Sequence, residues 1–254
     1  MTKSKNGRMI EMGTTTILFD LGDTLHDLTY YTSFARRISI EKLIDQGVPI
    51  TNTRKAERLF EDVVSRHCEP HSDKLFLDDS YFKNLFEELD VKVGSTVPRI
   101  ALIIYRDIIR SLITPSPMVI QTLSTLKGRG YRLGLVTDGR VDTTYEILQR
   151  LGINEFFDAI VVSEEVGVEK PNPRIFKEAM FRLHANPSEI MIVGDNLERD
   201  ILGGKESGMI TVLMKRHRLN RAGNRKIKPD FKIQLLSELL NLLARSGGSI
   251  SDKF

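Results

Sequence analysis

The stretch Thr14-Thr15-Thr16-Ile17-Leu18-Phe19-Asp20-Leu21-Gly22-Asp23-Thr24-Leu25 decides how the rest of the chain is read. Thr14 to Phe19 is β-branched and apolar without strict polar alternation, the pattern of a strand buried on both faces of a parallel sheet, and Gly22 then breaks the run. Asp20 therefore stands where a central strand ends. Ligands of open α/β sheets bind at the carboxyl ends of the strands, so a carboxylate held there by a rigid strand is well placed for chemistry. Taken alone, an Asp beside a Gly is equally ordinary turn chemistry, and the remaining sequence has to separate the two readings.

Outward from this stretch the pattern changes twice. From Asp27 to Ile113 apolar residues recur at helical spacing, first as Phe34, Ile38, Leu43 and Ile44, then as Ala56, Leu59, Phe60, Val63 and Val64. Tyr81, Phe82, Leu85, Phe86 and Leu89 continue it, followed by Ile100, Ile103, Ile104, Ile108 and Ile109. This predicts a small all-helical module inserted after the first strand, its aromatic residues serving as helix core. After Pro117 strand and helix signals alternate, which predicts a parallel sheet with helices on both faces. Strands are expected at Arg132 to Thr137, Ala159 to Ser163, Ile190 to Gly194 and Ile210 to Met214, with a short edge strand in Lys228 to Ile233. Gly152 is read as the end of a helix over Asp142 to Leu151, Pro173 as the opening of another, and Leu235 to Ala244 as a terminal amphipathic helix.

The 254 residues, 41% hydrophobic and 28% charged, describe an ordinary globular protein with a full core. The single cysteine, Cys68, excludes an intramolecular disulfide and any cysteine cluster for zinc, and predicts a reducing interior. Met1 to Met12 lacks the apolar run of a secretory signal and no later stretch approaches a membrane span, so a cytoplasmic location and no membrane partner are expected. The net charge of +3 is modest, with much of the basic excess in Lys215 to Lys232. That segment has no interleaved aromatic residue before Phe231, which predicts a solvated surface loop and no nucleic-acid partner.

Three further polar groups fall at the carboxyl ends of expected core strands. Thr137, in Leu-Val-Thr-Asp138-Gly, offers a hydroxyl and neighbouring amides to a phosphate oxygen, although helix capping is the commoner use of such a residue. Lys170, in Gly-Val-Glu-Lys-Pro-Asn-Pro, is a cation in a loop stiffened by two prolines. In Gly194-Asp195-Asn196-Leu197-Glu198-Arg199-Asp200, a strand delivers one carboxylate and the next helical turn another. Carboxylates gathered near Asp20 suit Mg2+, a hard cation that takes a few carboxylates and keeps several waters; a favourable charge pattern at a helix N-terminus is the plainer alternative.

Together these pieces resemble the four signature motifs of the haloacid dehalogenase superfamily, in the branch with a helical cap inserted after the first motif. Asp-x-x-x-Thr at Asp20 to Thr24, Thr137, Lys-Pro at Lys170 and Gly-Asp-x-x-x-x-Asp at Gly194 to Asp200 occur in the family's order, and the resemblance runs from Thr14 to about Ala244. It implies an α/β fold: a Rossmann-like parallel-sheet core with helices on both faces, formed by 14–26 and 114–245, an inserted all-α cap domain over 27–113, and flexible tails at 1–13 and 246–254. Most such relatives are magnesium-dependent phosphatases of small phosphorylated metabolites. By the same resemblance Asp20 is the nucleophile, Thr137 and Lys170 stabilise the transferring phosphoryl group, and Asp20, the carbonyl of Gly22 and Asp195 hold Mg2+ with support from Asp200. Asp138 and Asn196 are second-rank neighbours, Asp138 on the substrate side.

One position departs from the pattern. Family phosphatases carry a second Asp two residues after the nucleophile, which protonates the leaving group; here it is Gly22, with Asp23 one place further on. Four readings therefore stand: a phosphatase with weakened acid catalysis, a 2-haloacid dehalogenase, a phosphonate hydrolase, and a binding or regulatory relative with weak catalysis. The complete Gly194-Asp195 pair weighs against the metal-free dehalogenase. His26, a lone histidine after the first motif, is read as structural.

Overall fold

The computed structural model describes residues 13–67, 77–114, 116–215 and 227–244. The expectations for Met1 to Met12, Cys68, the tail after Ala244 and most of the basic segment, from Arg216 to Lys226, lie outside the described residues. The chain divides into two compact units, Met1–His26 with Pro115–Phe254, and Asp27–Thr114.

In the first unit a sheet of strands β1 (Thr16–Phe19), β2 (Arg132–Thr137), β3 (Ala159–Val162), β4 (Ile190–Gly194), β5 (Ile210–Met214) and β6 (Phe231–Ile233) runs in the order β3-β2-β1-β4-β5-β6. Every pairing is parallel. β1 is central, with Phe19 in register with Leu135 of β2 and Val193 of β4. All four of its residues are buried, which accounts for a strand without alternation: both faces are covered, so neither selects polar side chains. On one face Leu18, Val136, Val161 and Ile192 pack with Ile175, Phe176, Ala179 and Leu183, the buried stripe of a helix over Pro173–Leu183. Gly134 in β2 leaves room for that helix, since an added Cβ would fall 2.6 Å from a methyl of Leu183 and 2.9 Å from one of Leu18.

The second unit holds α1 (Leu28–Asp45), α2 (Thr53–His67), α3 (Ser80–Glu88) and α4 (Val97–Leu112), with no strand among its described residues. Asp27 caps α1, its carboxylate accepting from the amide of Tyr30 at 3.0 Å. Phe60, Phe82 and Tyr105 form one buried cluster, with Phe60 at 4.6 Å from Phe82 and edge-on to Tyr105 at 5.8 Å between ring centroids. These aromatics are helix core, as their spacing indicates. Tyr30, half-exposed beside Phe34, is the exception.

Returning to the sheet unit, α5 (Pro117–Gly128) leads to β2 and α6 (Val141–Leu151) to β3. Gly152 ends α6 at φ 65, the left-handed conformation a glycine reaches without cost. After β3 come a single turn α7 (Ser163–Val166) and α8 (Pro173–Leu183); a π-helical turn, Leu197–Leu202, follows β4, then α9 (Gly203–Glu206), β5, β6 and α10 (Glu238–Ala244). Several boundaries differ from the sequence expectation: β1 begins at Thr16 and α6 at Val141, and the β3 end and α10 start also move. β3 stops at Val162 because its partner there, Thr137, is the last residue of β2 and Ser163 begins α7; the Ser163 hydroxyl accepts from the amide of Gly139 at 2.9 Å. α10 begins at Glu238, whose carboxylate accepts from the amides of Gln234 and Leu235, holding that stretch in a turn. No helix among the described residues is long and apolar enough to cross a membrane.

Candidate active site

β1, β2 and β4 end side by side, and each delivers a polar residue one step past its last ladder pair or at it. Asp20 follows Phe19 and remains tied to the sheet through its amide, which donates to the carbonyl of Val193 at 2.9 Å. Thr137 ends β2 and is buried. Asp195 follows Gly194, the last residue of β4. Lys170 arrives from the loop between α7 and α8 and is 4% exposed.

Lys170 is the hub. Its Nζ donates to Asp20 Oδ1 at 2.7 Å, to Asp200 Oδ1 at 2.7 Å and to the carbonyl of Val136 at 3.2 Å, which satisfies all three ammonium protons. Burial alone pushes a lysine toward neutrality, but the carboxylates of Asp20, Asp200 and Asp138 outweigh it and hold Lys170 well above the ordinary lysine range. It is therefore a fixed positive charge against the Asp20 carboxylate. The other oxygen of Asp20 accepts from the Thr24 hydroxyl at 3.0 Å, so the Asp-x-x-x-Thr spacing closes on itself within one loop.

Asp20, Asp195 and Asp200 each bring one oxygen to within 4.8 Å of the others. Asp200 is set by the turn after β4: Asn196 Oδ1 accepts from the amides of Glu198 and Arg199 at 3.0 Å, and the Asn196 amide donates to Asp200 Oδ2 at 2.9 Å. Gly194 is required for this approach, because a Cβ there would collide with the Asp200 carboxyl group. Burial raises Asp200 above the usual carboxylate range, although Lys170 works against that shift. Asp195 is pushed up to about 8, by burial first and then by the charges of Asp20, Asp200 and Asp23. Three carboxyl groups thus crowd around one ammonium, with the Arg199 guanidinium also acting on Asp200, and their mutual repulsion adds to burial in raising Asp195. That donor set fits a hard divalent cation, which would relieve the repulsion raising Asp195.

Gly22 forms a bridge with His26 and is not among the glycines with positive φ; the left-handed residue of the loop is Asp23, at φ 55. Half-buried Asp23 is close enough for its charge to act on Asp195. Asp138, expected on the substrate side, accepts from the Lys170 amide through Oδ1 at 2.9 Å and faces Arg199 Nη1 through Oδ2 at 3.4 Å. Arg199 is the member of the constellation that sequence reasoning missed. Its one signal was its place inside the Asp195 to Asp200 motif, since its partner is 61 residues away in sequence.

The model of the haloacid dehalogenase-like hydrolases matches residues 50–214. A glyceraldehyde 3-phosphate phosphatase of Methanopyrus kandleri is 36% identical over 231 residues, 89% of this chain and 96% of that protein. The chain belongs to the haloacid dehalogenase-like hydrolases. A second relative, the glyceraldehyde 3-phosphate phosphatase of Methanothermobacter thermautotrophicus, is 34% identical over 78% of this chain and 84% of its own. Among solved structures, the magnesium-bound HAD-hydrolase YfnB of Bacillus subtilis superposes with a TM-score of 0.68 at 25% identity, covering 91% of this chain and 99% of that one. Membership in this hydrolase family agrees with the order of the motifs along the chain.

Proposed function

We propose that this hydrolase is a magnesium-dependent phosphatase of small phosphorylated metabolites, with Asp20 as nucleophile. The observation that carries the reading is Lys170 Nζ at 2.7 Å from both Asp20 and Asp200, which sets a fixed ammonium against the carboxyl group that ends a buried strand. An Asp20 oxygen attacks phosphorus in line, forming the O–P bond of an aspartyl-phosphate as the bond from phosphorus to the ester oxygen breaks. Water then hydrolyses the acyl phosphate, releasing inorganic phosphate and restoring the carboxylate. Lys170 and the Thr137 hydroxyl stabilise the charge spread over the phosphoryl oxygens. Asp20, Asp195 and the Gly22 carbonyl would hold Mg2+, with Asp200 in support; when bound, the ion neutralises phosphate charge and orients the group for attack.

The names of the Methanopyrus kandleri and Methanothermobacter thermautotrophicus relatives point to the substrate class, a three-carbon aldehyde phosphate, and the magnesium in the Bacillus subtilis structure supports the metal. The helical unit over 27–113 is assigned to substrate selection and the unit of 14–26 with 114–245 to the chemistry. The test is phosphate against halide release from glyceraldehyde 3-phosphate, p-nitrophenyl phosphate and 2-chloropropionate, with Mg2+ and with EDTA. Magnesium-dependent phosphate release supports the proposal; chloride release indifferent to EDTA assigns the dehalogenase reading instead.

A further inference from the structure

The loops after β2, after α7 and after β4 each carry one member of the constellation, and they meet at a single side chain. Asp138, directly after β2, accepts from the backbone amide of Lys170 with one oxygen and pairs with the Arg199 guanidinium through the other. The Asp138 side chain is 7% exposed, while that of Arg199 is 47% exposed, so the clasp is closed from the outside by the arginine. Arg199 is itself anchored at its amide, which donates to Asn196 Oδ1 at 3.0 Å in the turn that positions Asp200. Thr137, Lys170 and Asp200 are thus held in mutual register by contacts outside the Lys170 ammonium cluster.

We infer that Arg199 is a positioning residue that acts through Asp138, fixing the main chain of Lys170 so that its ammonium meets Asp20. The physical reason is that Lys170 Nζ sits at the end of four rotatable side-chain bonds. Its aim at a 2.7 Å contact depends on where its backbone is pinned, and the pin is the hydrogen bond to Asp138 Oδ1. Without Arg199, Asp138 loses the group holding its second oxygen and can swing toward solvent, releasing the Lys170 amide. In this scheme Arg199 acts on the position of Lys170 and not on the phosphoryl group, so its loss is read in kcat and not in KM.

The inference rests on the phosphatase reading for its kinetic arm, and hydrogen exchange provides an arm that needs no substrate. We would compare wild type with Arg199→Gln, Arg199→Lys, Asp138→Asn and the double variant Arg199→Gln/Asp138→Asn. The kinetic readouts are kcat and KM for p-nitrophenyl phosphate; the exchange readout is amide protection in the peptide around Lys170. Arg199→Gln is expected to lower kcat about 10- to 100-fold, the scale for a misplacement of about 1 Å, with KM within about twofold. Arg199→Lys restores most of the loss, and the double variant is no worse than Asp138→Asn alone, because both lesions break one chain of contacts. The Lys170 amide loses protection in Arg199→Gln and in Asp138→Asn. A rise in KM at constant kcat would make Arg199 a substrate ligand and overturn the inference, as would additive losses in the double variant or unchanged exchange at Lys170. A wild type that turns over no phosphate ester defeats the phosphatase reading, and exchange at Lys170 then decides the clasp by itself.

Discussion

At the scale of single residues, Asp20 and Gly22 carry the sharpest predictions. Asp20→Asn removes the oxygen proposed as nucleophile but leaves Lys170 its bonds to Asp200 and the Val136 carbonyl. Turnover should fall by about 10³-fold or more with the circular dichroism spectrum unchanged, since losing a member of a catalytic unit removes the covalent route outright. Gly22 occupies the position where family phosphatases place their acid, and its loss matters most for alkyl esters, whose alkoxides depart only with a proton. Because Gly22 is not in the positive-φ region, an Asp can enter it without backbone strain. Gly22→Asp should therefore raise alkyl phosphate turnover by up to about 10²- to 10⁴-fold while leaving aryl phosphates nearly unchanged. The ratio of glyceraldehyde 3-phosphate to p-nitrophenyl phosphate rates, in wild type and variant, measures this. Equal rates in the wild type would show that an acid is already present and would point to Asp23, which the loop holds at φ 55 near Asp195.

At the scale of elements, the turn after β4 depends on backbone approach rather than on side-chain packing. Asp200 folds back over Gly194 so closely that a single methyl there collides with its carboxyl group. Gly194→Ala should cost about 1 to 3 kcal/mol, the usual range for overpacking a filled site, as read by urea denaturation. The same displacement takes Asp200 off Lys170, so activity should fall further than the stability loss explains at temperatures where the variant is fully folded. An alanine variant with wild-type turnover would show that Asp200 does not need this geometry.

At the scale of the whole molecule, pH couples stability to the carboxylate cluster. Burial and the neighbouring carboxylates push Asp195 from the ordinary aspartate value of 3.8 up to about 8, so the folded protein binds more protons than the unfolded chain between those values. This contribution to stability is therefore full below the unfolded pKa and is lost as pH rises through the folded one. In EDTA, melting temperature should decline from about pH 5 to about pH 8 by this route, and Asp195→Asn should flatten the slope. Mg2+ requires the ionised form, so its stabilising effect should grow across the same window. The two compact units give a second prediction. Phe60 is fully buried against Phe82 and Tyr105, and Phe60→Ala should cost about 3 to 5 kcal/mol within the helical unit. Hydrogen exchange should show protection lost over 27–114 and retained in β1, β2 and β4.

Much of this protein was legible in its linear sequence, because the signals concerned are local. Continuous apolar runs bounded by glycine and proline identify strands covered on both faces, and β2, β4 and β5 occur at the expected bounds. Helical spacing identified the insert, and the position of Asp20, Thr137 and Asp195 at strand ends follows from knowing where each run stops. What only the tertiary structure decided is pairing between loops distant along the chain. The motif order marks Lys170 as a site residue, but its burial among Asp20, Asp200 and the Val136 carbonyl exists only once the sheet order β3-β2-β1-β4 brings those strand ends together. The Asp138–Arg199 contact is likewise invisible in the sequence, since no periodicity marks a contact across 61 residues. Strand identity is written in a few consecutive residues by burial and β-propensity, whereas the electrostatics of the site belong to the order in which the strands pack.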